Sequence, residues 1–406
     1  MATTTYQYSV RDKAGKVFTG TIEADSPAAV AQKLKSMGYA PMSIGEHKAG
    51  LSRDLSIPGF GGKVKLKDLA VMSRQFATMI NSGLSLMRAL SILAEQTPNK
   101  KLADVLGEVR NEVETGQALS SALALHPDVF PSLMINMVRA GEVGGFLDQV
   151  LLQIAANYEA EVRLRGKIKS AMTYPVVVFC IAMLAVTGML LFIVPVFAKM
   201  FDSLGAKLPA PTQILVNLSH ALKTFFPVII IGLIVGMILW KKFKRDDRVR
   251  NVVDPMKLKI PVFGSLFQKI AISRFTRNFG TMLHAGVPIL QALDIVADTS
   301  GNVVVANAVR DVQESVRNGE SLTAPLAHHS IFPPMVVQMM SVGEDTGALD
   351  DMLHKISDFY DQEVEATTEA LTSLIEPLMI AFLGGMIGCM IIALYMPIFS
   401  IFNLIK

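Results

Sequence analysis

The residues of this sequence that are able to do chemistry are few, and their spacing argues against catalysis. Seven histidines, including the pair His328-His329, form no HExxH or comparable metal spacing, and neither a glycine-rich phosphate loop nor a CxxC pair is present. Cys180 and Cys389 lie inside apolar runs, which speaks for a reducing compartment and against a disulfide framework. What does recur is an acidic pattern. Gly141-Glu142-x-x-Gly145-x-Leu147-Asp148-x-x-Leu151 returns as Gly343-Glu344-x-x-Gly347-x-Leu349-Asp350-x-x-Leu353, a shift of 202. Carboxylates beside glycines suit helix ends. Gly141 and Gly343 are expected to end one helix, Glu142 and Glu344 to sit in the connecting turn, and Asp148 and Asp350 to stabilise the positive N-terminus of the next helix. A second use for Glu142 and Glu344 is contact with a partner or a neighbouring subunit.

The shift continues beyond the motif. Downstream it matches Tyr158 to Tyr360, Glu161 to Glu363, Pro175 to Pro377, Pro195 to Pro397 and Phe197 to Phe399. Upstream it matches Phe130-Pro131 to Phe332-Pro333, and after a one-residue change Gly116 to Gly319, Gly83 to Gly286 and Phe76 to Phe279. One unit is present twice, and each copy ends in a long apolar run.

With 406 residues, 51% of them apolar, and a mean hydropathy of +0.42, the chain is more apolar than a wholly soluble protein. Three stretches carry no charge over lengths fit to cross a bilayer, between Lys169 and Lys199, Lys223 and Lys241, and Glu376 and Lys406. The second is short, so its flanking lysines are expected to reach for the interface, where Trp240 also belongs. Arg163, Arg165, Lys167 and Lys169 precede the first span, and Lys241, Lys242, Lys244, Arg245, Arg248 and Arg250 follow the second. Those sides are therefore expected in the cytoplasm. The opening residues from Met1 to Gln7 show no basic-then-apolar signal peptide, which places the N-terminus there as well. The middle span belongs to neither copy. It returns the chain inward, so that both repeated units face one compartment and the C-terminus lies outside, a parallel rather than an inverted repeat.

The expected fold is mainly α: two tandem six-helix cytoplasmic bundles, each leading into a transmembrane helix, three transmembrane helices in all, and a small α+β N-terminal domain. The expected boundaries are a ββαβ domain at 1–50, a linker at 51–65 rich in Gly and Pro, and a first bundle at 66–170. Span one follows at 171–197, an external loop at 198–223 and span two at 224–241. A basic connector at 242–265, a second bundle at 266–372 and span three at 373–402 complete the chain. Leu69, Met72, Phe76, Met79 and Ile80 show the three-and-four spacing of a helix whose apolar face is buried. Tyr174-Pro175 and Glu376-Pro377 mark the entry to a span or a kink. Glu376 at that edge reads either as an interfacial position or as a guide for an apolar partner helix.

The paired Gly-Glu-x-x-Gly-x-Leu segments, with Tyr174-Pro175 in one copy, Glu376-Pro377 in the other and a small domain ahead of both, resemble the inner-membrane platform proteins of type IV pilus and type II secretion machines, the PilC and GspF family. The resemblance covers essentially the whole chain. It implies a protein without catalysis, cofactor or metal, whose cytoplasmic bundles engage a hexameric ATPase. Its spans would meet pilin or pseudopilin helices, beside other inner-membrane alignment proteins of the pilus, to insert subunits at the filament base and to remove them. A homo-oligomer, with a dimer favoured, is implied likewise, in the bacterial inner membrane and without nucleic acid. The alternatives are a type II secretion pseudopilus platform, a membrane transporter, or an unrelated membrane scaffold. Spans almost free of ionisable groups argue against the transporter.

Overall fold

A computed structural model describes residues 4–11, 17–24, 27–36, 40–46, 63–203, 209–243 and 246–402. Two compact units result, residues 1–63 and 64–406. In the first, β1 (Thr4–Arg11), β2 (Val17–Ala24), helix α1 (Pro27–Ser36) and β3 (Ala40–Glu46) follow in order. The sheet is antiparallel with strand order β2-β1-β3. It pairs Thr4 with Ala24 and Tyr6 with Glu46, and a register shift falls between Ser9 and Val10. Pro27 opens α1, where its fixed φ and missing N–H cost nothing. Val30 and Leu34, one turn apart, are the buried pair of that helix. This is the expected ββαβ order. Residues 51–62 of the expected linker lie outside the described residues.

In the second unit the first bundle consists of α2 (Leu66–Asn81), α3 (Leu86–Gln96), α4 (Lys100–Glu114), α5 (Leu119–Ala124), α6 (Ser132–Gly144) and the start of α7 (Leu147–Gly188). A π-helical turn, Met189–Ile193, carries α7 into α8 (Val194–Ser203), and α9 (Ala210–Phe243) and α10 (Asp247–Lys259) follow. The second bundle is α11 (Phe263–His284), α12 (Ile289–Thr299), α13 (Val303–Arg317), α14 (Thr323–Leu326), α15 (Pro334–Thr346) and the start of α16 (Leu349–Phe402). Duplicated positions supply the core. Phe76 and Phe279, Phe130 and Phe332, Leu151 and Leu353, and Tyr158 and Tyr360 are all buried. Removing a side chain of this size from water contributes roughly 1.5–3 kcal/mol.

Three helical segments, Leu147–Met200, Ala210–Leu239 and Leu349–Met396, are long and apolar enough to cross a membrane. α7 runs unbroken through Pro175, and α16 through Pro377, from bundle into span. Two expectations change. The loop placed at 198–223 is largely helical, because α8 continues to Ser203 and α9 already begins at Ala210. Pro211 is no breaker there, since at the second helical position its ring meets no preceding turn. The connector at 242–265 is also structured. Asp246 caps α10 by accepting from the Arg248 N–H at 2.9 Å, and Asp254 accepts from the Val303 N–H at 3.2 Å, which docks α10 on the start of α13.

Between α10 and α11 the chain turns on Val262, at φ 70° and ψ −50°, with the Phe263 N–H donating to the Pro261 carbonyl at 2.8 Å. This is a γ-turn of the rare positive-φ kind, which strains a β-branched residue. The sequence Ile57-Pro58-Gly59-Phe60-Gly61 repeats Ile260-Pro261-Val262-Phe263-Gly264 at a spacing of 203, with glycine standing where the later copy has valine. Val262→Gly is expected to stabilise the second bundle by about 1 kcal/mol, the relief of strain exceeding the added freedom of the unfolded chain. A higher midpoint in thermal unfolding of the detergent-solubilised chain is the measurement; an unchanged or lower midpoint refutes it.

Candidate functional site

The duplicated motif folds into the same joint twice. α6 ends at Gly145, at φ 75°, and α15 at Gly347, at φ 71°; each N–H donates back to the carbonyl of Gly141 or Gly343. The helix-ending residue is thus the second glycine of each motif, not the first. Gly141 and Gly343 lie within their helices, where the next helix crosses closely. A Cβ on Gly141 would fall 3.0 Å from the Val150 side chain, and one on Gly343 only 2.9 Å from the Leu349 backbone. Glu142 and Glu344 occupy the last helical turn rather than the connection, and their carboxylates turn back into their own bundles. Glu142 accepts from the N–H groups of Leu119 and, at 3.0 Å, Ser120. Glu344 accepts from the N–H groups of Leu322 at 2.7 Å and Thr323 at 3.3 Å, and from the hydroxyls of Ser321 at 2.9 Å and Thr323 at 3.0 Å. The short helix α5 has no side-chain cap of its own, and α14 has only the Ser321 hydroxyl, which accepts from the Thr323 N–H at 3.1 Å, so a glutamate from another helix completes each. Burial pushes the Glu344 carboxyl up, but those donors together outweigh it and hold it below the ordinary glutamate value. Asp148 and Asp350 stand in the first turns of α7 and α16, as expected, and Asp350 pairs with His284 at 2.9 Å.

A second repeated device is legible only once the helices are placed. Arg74 of α2 holds Glu159 of α7 through two bonds of 2.6 and 2.7 Å. Arg277 of α11 holds Asp361 of α16, which also accepts from Ser273 at 2.6 Å. Arginine and acid recur at the shifts of 203 and 202, a signal present in the sequence but easily lost among its surface charges. Each pair fastens the first helix of a bundle to the helix that enters the membrane. Between the bundles, α6 and α7 pack on α12 and α11, and Lys167 pairs with Glu365 across α7 and α16.

At the far end the spans meet through Val186, Leu190, Val194, Met390 and Leu394. Two hydroxyls of α9 bind them: Ser219 donates to the Leu190 carbonyl at 2.5 Å, inside the π-helical turn, and Thr212 donates to the Ala393 carbonyl. Thr212 and Ser219 are seven residues apart on one helix face, a spacing that the expected external loop concealed. Tyr174, Glu376 and Pro377 lie on the outer surface of their helices, whereas Pro175 is buried. Among the described residues no group of three or more His, Cys, Asp or Glu is placed to hold a metal ion. His329 instead pairs with Asp311 at 2.8 Å.

Such an arrangement, twin helical bundles fused to apolar spans, defines a multi-pass membrane scaffold. The chain belongs to the family described as type II secretion system protein F: the family model matches residues 72–195 and again 275–397, and the model of that protein's N-terminal domain matches residues 1–45. It is 44% identical to the type IV pilus assembly protein PilC of Myxococcus xanthus over 100% of this chain and 97% of that one. It is 42% identical to the protein of the same name from Thermus thermophilus, over 98% of each chain. The type II secretion system protein F of Vibrio cholerae is 33% identical over 99% of each.

Gly343→Ala is expected to cost about 1–3 kcal/mol, because the clash is with backbone that cannot swing aside. Its Cβ clash should make it more damaging than Gly347→Ala, which adds backbone strain in open space; thermal unfolding of the two variants side by side decides. Glu344→Gln is expected to cost about 1–2 kcal/mol at pH 7. Because the folded carboxyl lies low, its contribution is full above the ordinary glutamate value of about 4.3 and is lost as pH falls from there through the folded value. The difference between wild type and Glu344→Gln should therefore shrink in melts run at progressively lower pH, and a constant difference contradicts the capping role.

Proposed function

We propose that this chain is the inner-membrane platform of a type IV filament machine, coupling a cytoplasmic hexameric ATPase to the insertion of pilin subunits at the filament base. The observation that carries the reading is the duplicated bundle, each copy fused without interruption to a span. A protein with two such bundles and no nucleotide motif of its own borrows energy from a partner and passes displacement into the bilayer. The basic flanks at Arg163 to Lys169 and Lys241 to Arg250 support placing both bundles in the cytoplasm, with the residues near Pro211 and the C-terminus outside. Pilin helices are the partner class suited to the apolar surfaces of the spans. The chain itself carries out no reaction in this scheme. Relatives at 44% and 42% identity bear pilus assembly names and the 33% relative a secretion name, which favours a pilus over a secretion pseudopilus.

Topology reporters fused near Pro211 and near Asn302 test the geometry, and affinity capture from the native host tests the role. The expected outcome is an external signal at the first site, an internal one at the second, and retention of a hexameric ATPase with pilin. Reversed reporter signals overturn the orientation, and purified protein that alone moves solute across liposomes overturns the platform.

A further inference from the structure

The two bundles of one chain meet through unlike faces, and the counterpart of each face is left open. Asn157 of α7, 7% exposed, donates to the Asn278 side chain at 3.2 Å and to the Thr281 hydroxyl at 3.3 Å, both on α11. Glu161, one turn on, pairs with Arg274 at 2.8 Å. Beside them Asn136 of α6 approaches Gln291 of α12 at 3.5 Å. The repeat supplies the same two faces again. The counterparts of Arg274, Asn278 and Thr281 are Val71, Gln75 and Thr78 of α2, and the counterpart of Asn157 is Phe359 of α16. Among the described residues neither α2 and α16 nor α3 and α15 make more than slight contact.

Both open faces show it. Thr281 is buried, whereas Thr78 and Gln75 are exposed and line a groove of about 310 Å³ with Met79, Ile92 and Gln96. Val71 is 45% exposed and Phe359 42%. At two of the four positions the open faces carry apolar residues, phenylalanine for Asn157 and valine for Arg274, while Gln75 and Thr78 keep the polar character of Asn278 and Thr281. Charge agrees with the match, since Asp358 adjoins Phe359 while Lys67 and Arg163 flank Arg74 beside the groove.

We infer that a second copy of this chain covers these faces: α16 of one copy, led by Phe359, lies against the α2–α3 groove of its neighbour and repeats between chains the contact that α7 makes on α11 within one. Unlike faces joined head to tail close into a ring or continue as a filament. Each chain offers one donor face and one acceptor face, so two chains closing on each other would use both. This rests on the homo-oligomer that the family resemblance implies, and the mass of the assembly, measured separately, tests that part alone.

The test is disulfide trapping in the full-length protein with Cys180 and Cys389 replaced by alanine. A chain carrying Thr78→Cys is mixed with one carrying Phe359→Cys, and oxidation is expected to give a covalent dimer of the two. Asn157→Cys with Thr281→Cys in one chain should crosslink without a change in mass. Phe359→Glu should weaken self-association about tenfold or more, as expected when a charge replaces a buried interfacial aromatic. If native mass spectrometry shows an oligomer but the mixed pair gives no covalent dimer, another surface joins the copies and the inference is overturned. It is equally overturned if Phe359→Glu leaves self-association intact and instead abolishes capture of the ATPase or pilin, since the groove then belongs to that partner.

Discussion

Each bundle depends on how closely its last two helices are allowed to cross. With only hydrogens on Gly141 and Gly343, the backbone of the following helix passes at a distance that no side chain would permit. That crossing sets the direction in which α7 and α16 leave the bundle, and hence the direction of the spans. Once the crossing is set, the glutamate beside each glycine is delivered to the N-terminus of the short helix 22 or 23 residues earlier, and the arginine–acid pair secures the far side. Three weak interactions thereby act on one joint. Small displacements at that joint are passed on to the helices that leave it, because interiors packed to crystal-like density transmit strain instead of absorbing it.

The two copies are alike where this joint is concerned and differ where they face other things. Glutamate and aspartate alternate as the acid facing Arg74 and Arg277, yet the bridge persists. Asn157 and Phe359, by contrast, occupy the same position with opposite chemistry. A polar contact suits a face that is satisfied once, within the chain, and never released. An apolar residue left at the surface, such as Phe359, instead gains by being covered.

Much of this was readable beforehand, and the exceptions have specific causes. Apolar spacing such as Leu69, Met72 and Phe76 marked the helices, and the repeat marked the two bundles. Which glycine of Gly-Glu-x-x-Gly ends the helix was not readable, because both have the residue type that a left-handed cap needs and only the backbone angle distinguishes Gly145 from Gly141. The destination of Glu142 was hidden for a different reason: its partners lie 22 and 23 residues away, on a helix too short to show a period. The helical start of α9 was masked by Pro211 and by the charge at Lys223, both common in loops and both harmless where they fall. The Arg74–Glu159 and Arg277–Asp361 bridges needed only the repeat arithmetic, applied to charged positions as well as to apolar ones.

The spans inherit an asymmetry from one local detail. α7 covers 42 residues, about 63 Å of continuous helix, before the wider turn at Met189–Ile193, whereas α16 continues for 54 residues, about 81 Å, without one. A wide turn is a place where a helix yields, and the Ser219 hydroxyl is already there to satisfy a carbonyl that ordinary winding would have used. One strut therefore has a wide turn near its end that the other lacks, although both carry an internal proline, Pro175 and Pro377. A bend taken at Met189–Ile193 in the first has no matching wide turn in the second, so the two spans are free to tilt by different amounts.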